Sequence, residues 1–116
     1  MSFTLTGGSI LTKPTKLTTT SATVLYTADK RTVIVCIDAT EITGNTPALT
    51  LEMYDVANTT SHYLRNAKAM TAREEYSRER VFALPQGWQL RATAGAANQI
   101  DCAVTFMSPD ATALGN

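Results

Sequence analysis

From Ala48 to Val56 the chain reads ALTLEMYDV, with Leu49, Leu51 and Met53 on one side and Thr50, Glu52 and Tyr54 on the other. An apolar residue at every second position marks a strand, because successive side chains point to opposite faces of a sheet. The pattern returns in WQLRATA, with Trp88, Leu90, Ala92 and Ala94 inward and Gln89, Arg91 and Thr93 outward. It returns again in QIDCAVTFM, with Ile100, Cys102, Val104 and Phe106 inward. RTVIVCID, Arg31 to Asp38, is apolar on both faces and belongs at the centre of a sheet or between two layers, with Val35 in the core. SATVLYTA, Ser21 to Ala28, is rich in β-branched residues and reaches it through the charged turn DKR.

Turn chemistry separates these runs at TGNTP, ANTTS, LPQG and AGAAN, often about ten residues apart. The spacing predicts a single all-β domain of about eight antiparallel strands, a β-sandwich or jelly roll. Its expected core is Trp88, Leu90, Phe82, Ile100, Val104, Phe106 and Val35. Residues 1–17 show no sustained period and read as an extended arm, and 109–116 read as a flexible tail.

Residues 71–80, TAREEYSRER, give two signals. Thr71 to Glu74 is a capping-box spacing and Glu74 to Arg78 an i,i+4 pair, both of which favour a short helix. As a strand the same stretch puts Tyr76, Phe82 and Leu84 on one face with Arg78 and Arg80 between them. An edge strand is the favoured reading, since local propensity yields readily to tertiary context.

Charge and candidate chemistry narrow the function. Ten basic residues balance ten acidic ones, so no global field draws in nucleic acid or an anionic membrane. The longest apolar runs fall far short of the ~20 residues needed to cross a bilayer. The first residues lack the basic and apolar regions of a secretory signal, which predicts a soluble chain made in the cytoplasm. Cys36 and Cys102 read as buried free thiols, although opposed strands could bring them within disulfide reach.

The one histidine, His62, has no partner at metal-ligand spacing and reads as an exposed strand or loop residue. Ser9 lacks the G-x-S-x-G frame of an exposed nucleophile, and Cys36 lies in an apolar strand where a thiolate is poorly solvated. TGGSI lacks the lysine of a phosphate-cradling loop. The pairs Asp38 with Glu41 and Glu74 with Glu75 have no neighbouring aromatic sugar platform and read as solvated carboxylates. The expectation is therefore no enzyme, no catalytic residue, no cofactor and no metal.

The densest polar cluster runs from Arg65 to Arg80. Arg65, Lys68, Arg73, Tyr76, Arg78 and Arg80 form a candidate protein interface, because Arg and Tyr combine contact area with directional hydrogen bonds. A charged edge that discourages sheet-to-sheet aggregation would look the same. The cluster lacks the repeated aromatics of a single-stranded nucleic-acid platform. Carbohydrate or receptor binding through Trp88, Tyr54, Tyr63 or Tyr76 is the alternative of a different class.

FALPQGWQLRATAGAANQIDCAVTFMS, Phe82 to Ser108, resembles the small structural proteins of tailed-bacteriophage virions. In these an apolar strand leads through a Pro/Gly turn to an alternating strand and then a closing strand. TVIVCIDATEITGNTPALTLEMYDV, Thr32 to Val56, fits the same scheme, whereas AREEYSRER is more charged than the corresponding strand. The resemblance implies a virion subunit assembled in the host cytoplasm, most simply capsid decoration or cement. Neck, collar, tail-adaptor or fibre-attachment roles are the alternatives. Its implied partners are other copies of itself, as a trimer or ring, and other virion proteins, with no nucleic acid and no membrane.

Overall fold

The computed structural model describes residues 9–107, which form nine strands and no helix. They are β1 (Ile10–Leu17), β2 (Thr23–Thr27), β3 (Thr32–Glu41), β4 (Ala48–Asp55), β5 (Thr60–Ala69), β6 (Glu75–Arg78), β7 (Phe82–Leu84), β8 (Gln89–Ala94) and β9 (Ile100–Met107). The expected turns at TGNTP, ANTTS, LPQG and AGAAN each separate two strands, with Thr60, Ser61, Leu84 and Ala94 belonging to the strands themselves.

Pairing is nested: β1 with β9, β2 with β8, β3 with β6 and β7, and β4 with β5, every pair antiparallel. The described chain is thus one long hairpin, doubled back at the β4–β5 turn and rolled so that successive pairs alternate between two sheets. The first sheet runs β1-β9-β3-β6, with β7 also on β3; the second runs β2-β8-β4-β5. This is jelly-roll order. Because β6 and β7 pair with successive parts of β3, they are two halves of one strand, and the nine segments occupy eight strand positions.

The two inner faces meet in a core of Leu17, Leu25, Ile34, Ile37, Leu49, Leu51, Met70, Leu84, Leu90, Ile100 and Val104, all sealed from solvent. Of the residues expected in it, Leu90, Ile100, Val104 and Phe106 are buried, while Phe82 and Trp88 pack against it half-buried. Val35 departs from expectation. β3 is bulged between Ile34 and Cys36, so Thr32 and Ile34 face inward before the bulge and Ile37, Ala39 and Glu41 after it. One extra residue reverses the phase of everything that follows. Val35 is that residue, and it is half-buried.

One further expectation is corrected, and the favoured edge strand at 71–80 forms as β6. Residues 10–17, assigned to an arm, form edge strand β1 in register with β9. Their alternation is weak because β1 borders an open seam of the sandwich, where inward-phase Lys13 reaches across to the Leu25 carbonyl at 3.1 Å. No helix forms at 71–80: the Thr71–Glu74 spacing closes a single turn, and β6 follows. The remaining arm, residues 1–8, and the tail at 109–116 lie outside the described residues.

Candidate assembly edge

The Arg/Tyr cluster is spread over β5, the turn that follows it, and β6, edge strands of the two sheets that meet along one side of the sandwich. The turn is built on carboxylates. Glu74 accepts from the Thr71 amide at 2.8 Å and the Thr71 hydroxyl at 3.3 Å, while the Glu74 amide donates to the Thr71 carbonyl at 3.1 Å. Lys68 Nζ sits 2.9 Å from the same carboxylate. The Thr71 amide, followed by Lys68, holds the Glu74 carboxyl below its ordinary pKa.

Glu41, at the end of β3, is only 1% exposed. Its carboxylate accepts from the Thr43 hydroxyl and amide, the Gly44 amide at 2.7 Å and the Arg73 amide at 3.0 Å. Burial is the largest single influence and acts to raise its pKa. The Thr43 hydroxyl and the three amides together outweigh it and hold the carboxyl at about 2. Arg73, in the left-handed region at φ 60°, also donates from Nη1 to the Ile42 carbonyl at 2.9 Å. Glu41 therefore ties the β3–β4 loop to the β5–β6 turn.

These contacts divide the six candidate interface residues. Lys68 and Arg73 are engaged inside the fold. Arg65 and Lys68 both lie over the Tyr76 ring, at 5.8 and 5.5 Å from its centroid, and Arg78 lies 5.9 Å from that of Phe82. Arg78 is on the inward phase of β6, opposite Ile37, and its Nε is buried without a hydrogen-bond partner among the described residues. Arg80 is exposed beside Val81, whose 65% exposure exceeds that of any other exposed large apolar residue described. Residues 79–81 separate β6 from β7 opposite the β3 bulge, which carries Arg80 and Val81 out of the sheet.

The other candidates lie elsewhere. On the outer face of the second sheet Glu52 pairs across strands with Tyr63 on one side and Arg91 on the other. The Arg91 guanidinium covers Tyr54 at 3.6 Å, Glu52 accepts from Ser61 at 3.0 Å, and Tyr63 is 59% exposed. Exposed His62 stacks on Trp88 at the end of the sandwich. Cys36 and Cys102 are free and occupy opposite faces of the first sheet, Cys36 outward and Cys102 inward, so they cannot pair. An open hollow of about 380 Å³ beside β1 and β9 is lined by Pro14, Thr15, Lys16, Asp101 and Cys102. No group of three or more His, Cys, Asp or Glu among the described residues could hold a metal ion.

Glu41, expected as a solvated carboxylate, is instead buried, and sequence reasoning missed Asp55; both cap turns, and Asp55 accepts from the Asn58 amide at 3.3 Å and side chain at 2.7 Å. The available signal was an acidic residue placed two or three positions before Thr-Gly or Asn.

Topology and edges together define an all-β jelly-roll protein with one Arg-rich open side. No family model matches the chain, and no curated protein matches it. Among solved structures the chain is similar to one described as "Cyanophage Pam1 capsid asymmetric unit", at 18% identity and a TM-score of 0.48, over 94% of this chain and 91% of that one.

Proposed function

We propose that the chain is a structural subunit of a tailed-phage virion, most simply a capsid decoration or cement protein, that acts by binding assembled neighbours without turnover. The observation that supports this reading is the projection formed by Arg80 and Val81. It places a large exposed apolar side chain beside a cation with no partner among the described residues, next to Arg78 on the Phe82 ring. Such a patch gains contact area and charge-assisted hydrogen bonds when a partner covers it. The virion context comes from the pattern of Phe82 to Ser108 and Thr32 to Val56. Virions carrying an epitope-tagged copy test it by immunogold labelling. Label over the shell supports decoration, label at the neck or tail moves the protein to the connector alternative, and unlabelled virions overturn the reading. Arg80→Glu with Val81→Asp is expected to abolish incorporation while leaving the melting temperature unchanged.

A second reading, a carbohydrate- or receptor-binding module, is favoured by one observation, the exposed Tyr63 ring beside Tyr54 and Arg91 on the outer sheet face. Glycan-array binding lost on Tyr63→Ala would support it, and a blank array would remove it.

A further inference from the structure

Each sheet has two edge strands, and three of the four are interrupted. β2 is bulged between Val24 and Tyr26, β5 shifts register twice against β4, and β6 and β7 are separated at 79–81. Interruptions of this kind protect an edge from unwanted pairing. Among the described strands β1 is the exception, running eight residues in unbroken register with β9 and pairing with nothing on its other side.

The open side of β1 can be read residue by residue. The Leu17 carbonyl accepts from the Asn98 amide at 2.9 Å, on the β9 side. A strand residue directs its N–H and C=O to one side and its neighbours direct theirs to the other. The odd positions of β1 therefore face β9, and Ile10, Thr12 and Lys16 present their backbone groups outward. Pro14 falls on the same open side, where its missing N–H costs the existing ladder nothing. Both faces of the strand also lack cover at its start: Ile10 is 43% exposed and Leu11, on the inward phase opposite Phe106, is 48% exposed.

The residues leading into this strand read SFTLTGG, Ser2 to Gly8. In sequence Phe3 and Leu5 alternate with Thr4 and Thr6, the two-residue period of a half-buried strand, ahead of Gly7 and Gly8. We propose that residues 2–6 of a second copy of this chain add as a strand to the free edge of β1. Arm and acceptor edge adjoin in each chain, so the exchange is reciprocal and closes a two-fold dimer. Five extended residues span about 16 Å, enough to cover the Ile10–Pro14 half of the edge. Folding back onto the chain's own β1 through a tight Gly7-Gly8 turn would require Ser9 and Leu11 to bond the incoming strand. Leu11 faces β9 instead. This inference concerns the chain alone in solution and stands apart from the virion reading.

Sedimentation equilibrium on the full chain, with hydrogen exchange at the Ile10 and Thr12 amides, tests it. The expected result is a concentration-dependent monomer–dimer equilibrium in which both amides gain protection as dimer forms. Phe3→Ser with Leu5→Ser should abolish the dimer, as should Thr12→Pro, which removes an outward amide without touching the β9 ladder. A wild type that stays monomeric overturns the proposal. So does a double serine variant that dimerises like the wild type, or edge protection that is independent of concentration, which would place the arm on its own chain.

Discussion

The imidazole of His62 lies on the indole of Trp88, ring centroids 5.3 Å apart and planes 14° from parallel. The Trp88 backbone is fixed on both sides: its amide donates to the Pro85 carbonyl at 3.1 Å, and its carbonyl accepts from the Ala28 amide at 2.9 Å. Trp88 thus closes one end of the sandwich, with one side against the core and an exposed histidine over the indole.

Because the tryptophan is half-buried, Trp88→Ala should cost about 2 kcal/mol, below the 3–5 kcal/mol range for aromatics removed from a full core. His62→Ala should cost about 0.5–1 kcal/mol, the usual worth of a ring pair. Urea unfolding followed by circular dichroism measures both. Since Trp88 is the sole tryptophan, His62→Ala should also shift the intrinsic fluorescence of the folded state.

Acid should loosen the clasp at Glu41. Its folded pKa is lowered to about 2 from an ordinary 4.5, so the ionised form contributes stability in full above about pH 4.5, and that contribution is lost as pH falls toward 2. Glu41→Gln should lower stability at neutral pH and flatten the pH dependence between those limits. Glu74 is shifted in the same direction, so a smaller acid dependence should persist in that variant. Thermal melts from pH 7 down to pH 2 would show it.

The two thiols should differ sharply. Burial drives the Cys102 thiol up to about 12, with Asp101 adding to the effect. Burial also raises Cys36, the charges of Asp38 and Glu79 add to it, and a hydrogen bond with Thr105 opposes. Under native conditions Cys36 should alkylate slowly and Cys102 only on unfolding, as read by mass spectrometry. Oxidation should produce no intramolecular disulfide.

Gly87 sits at φ 85° in the LPQG turn, with nothing within 4 Å of where a Cβ would stand. Gly87→Ala should therefore cost about 1 kcal/mol from backbone strain alone. A melting temperature equal to that of the wild type would contradict this.

Strands with one face in the core were readable from sequence because burial enforces the two-residue period: β8 and β9 keep it without a slip. Elements at the margins were not. β1 carries Lys13 and Thr15 at inward positions because the seam they line is open, so its composition resembles that of a loop. The Thr71–Glu74 capping box is half made: the Glu74 carboxylate accepts from the Thr71 amide, but the Glu74 amide donates to the Thr71 carbonyl rather than its hydroxyl, and only one turn forms, fastened against the sandwich by Lys68 and Glu41. The candidate interface was visible as a cluster of Arg and Tyr. Which of its members remain available to a partner depends on contacts from Ile42, Glu74 and Phe82, which spacing along the chain does not encode.

The bulge at Val35 also sets a rule for how this chain can change length. Opposite it, residues 79–81 loop out between β6 and β7, so the two irregularities act as one hinge shared by adjacent strands. Deleting Val35 alone would remove the bulge and keep Ile34, Ile37, Ala39 and Glu41 on the inward phase, whereas deleting a residue later in β3 would turn part of this set outward. The bulge is therefore where β3 is expected to lose a residue in any descendant of this fold without emptying the core.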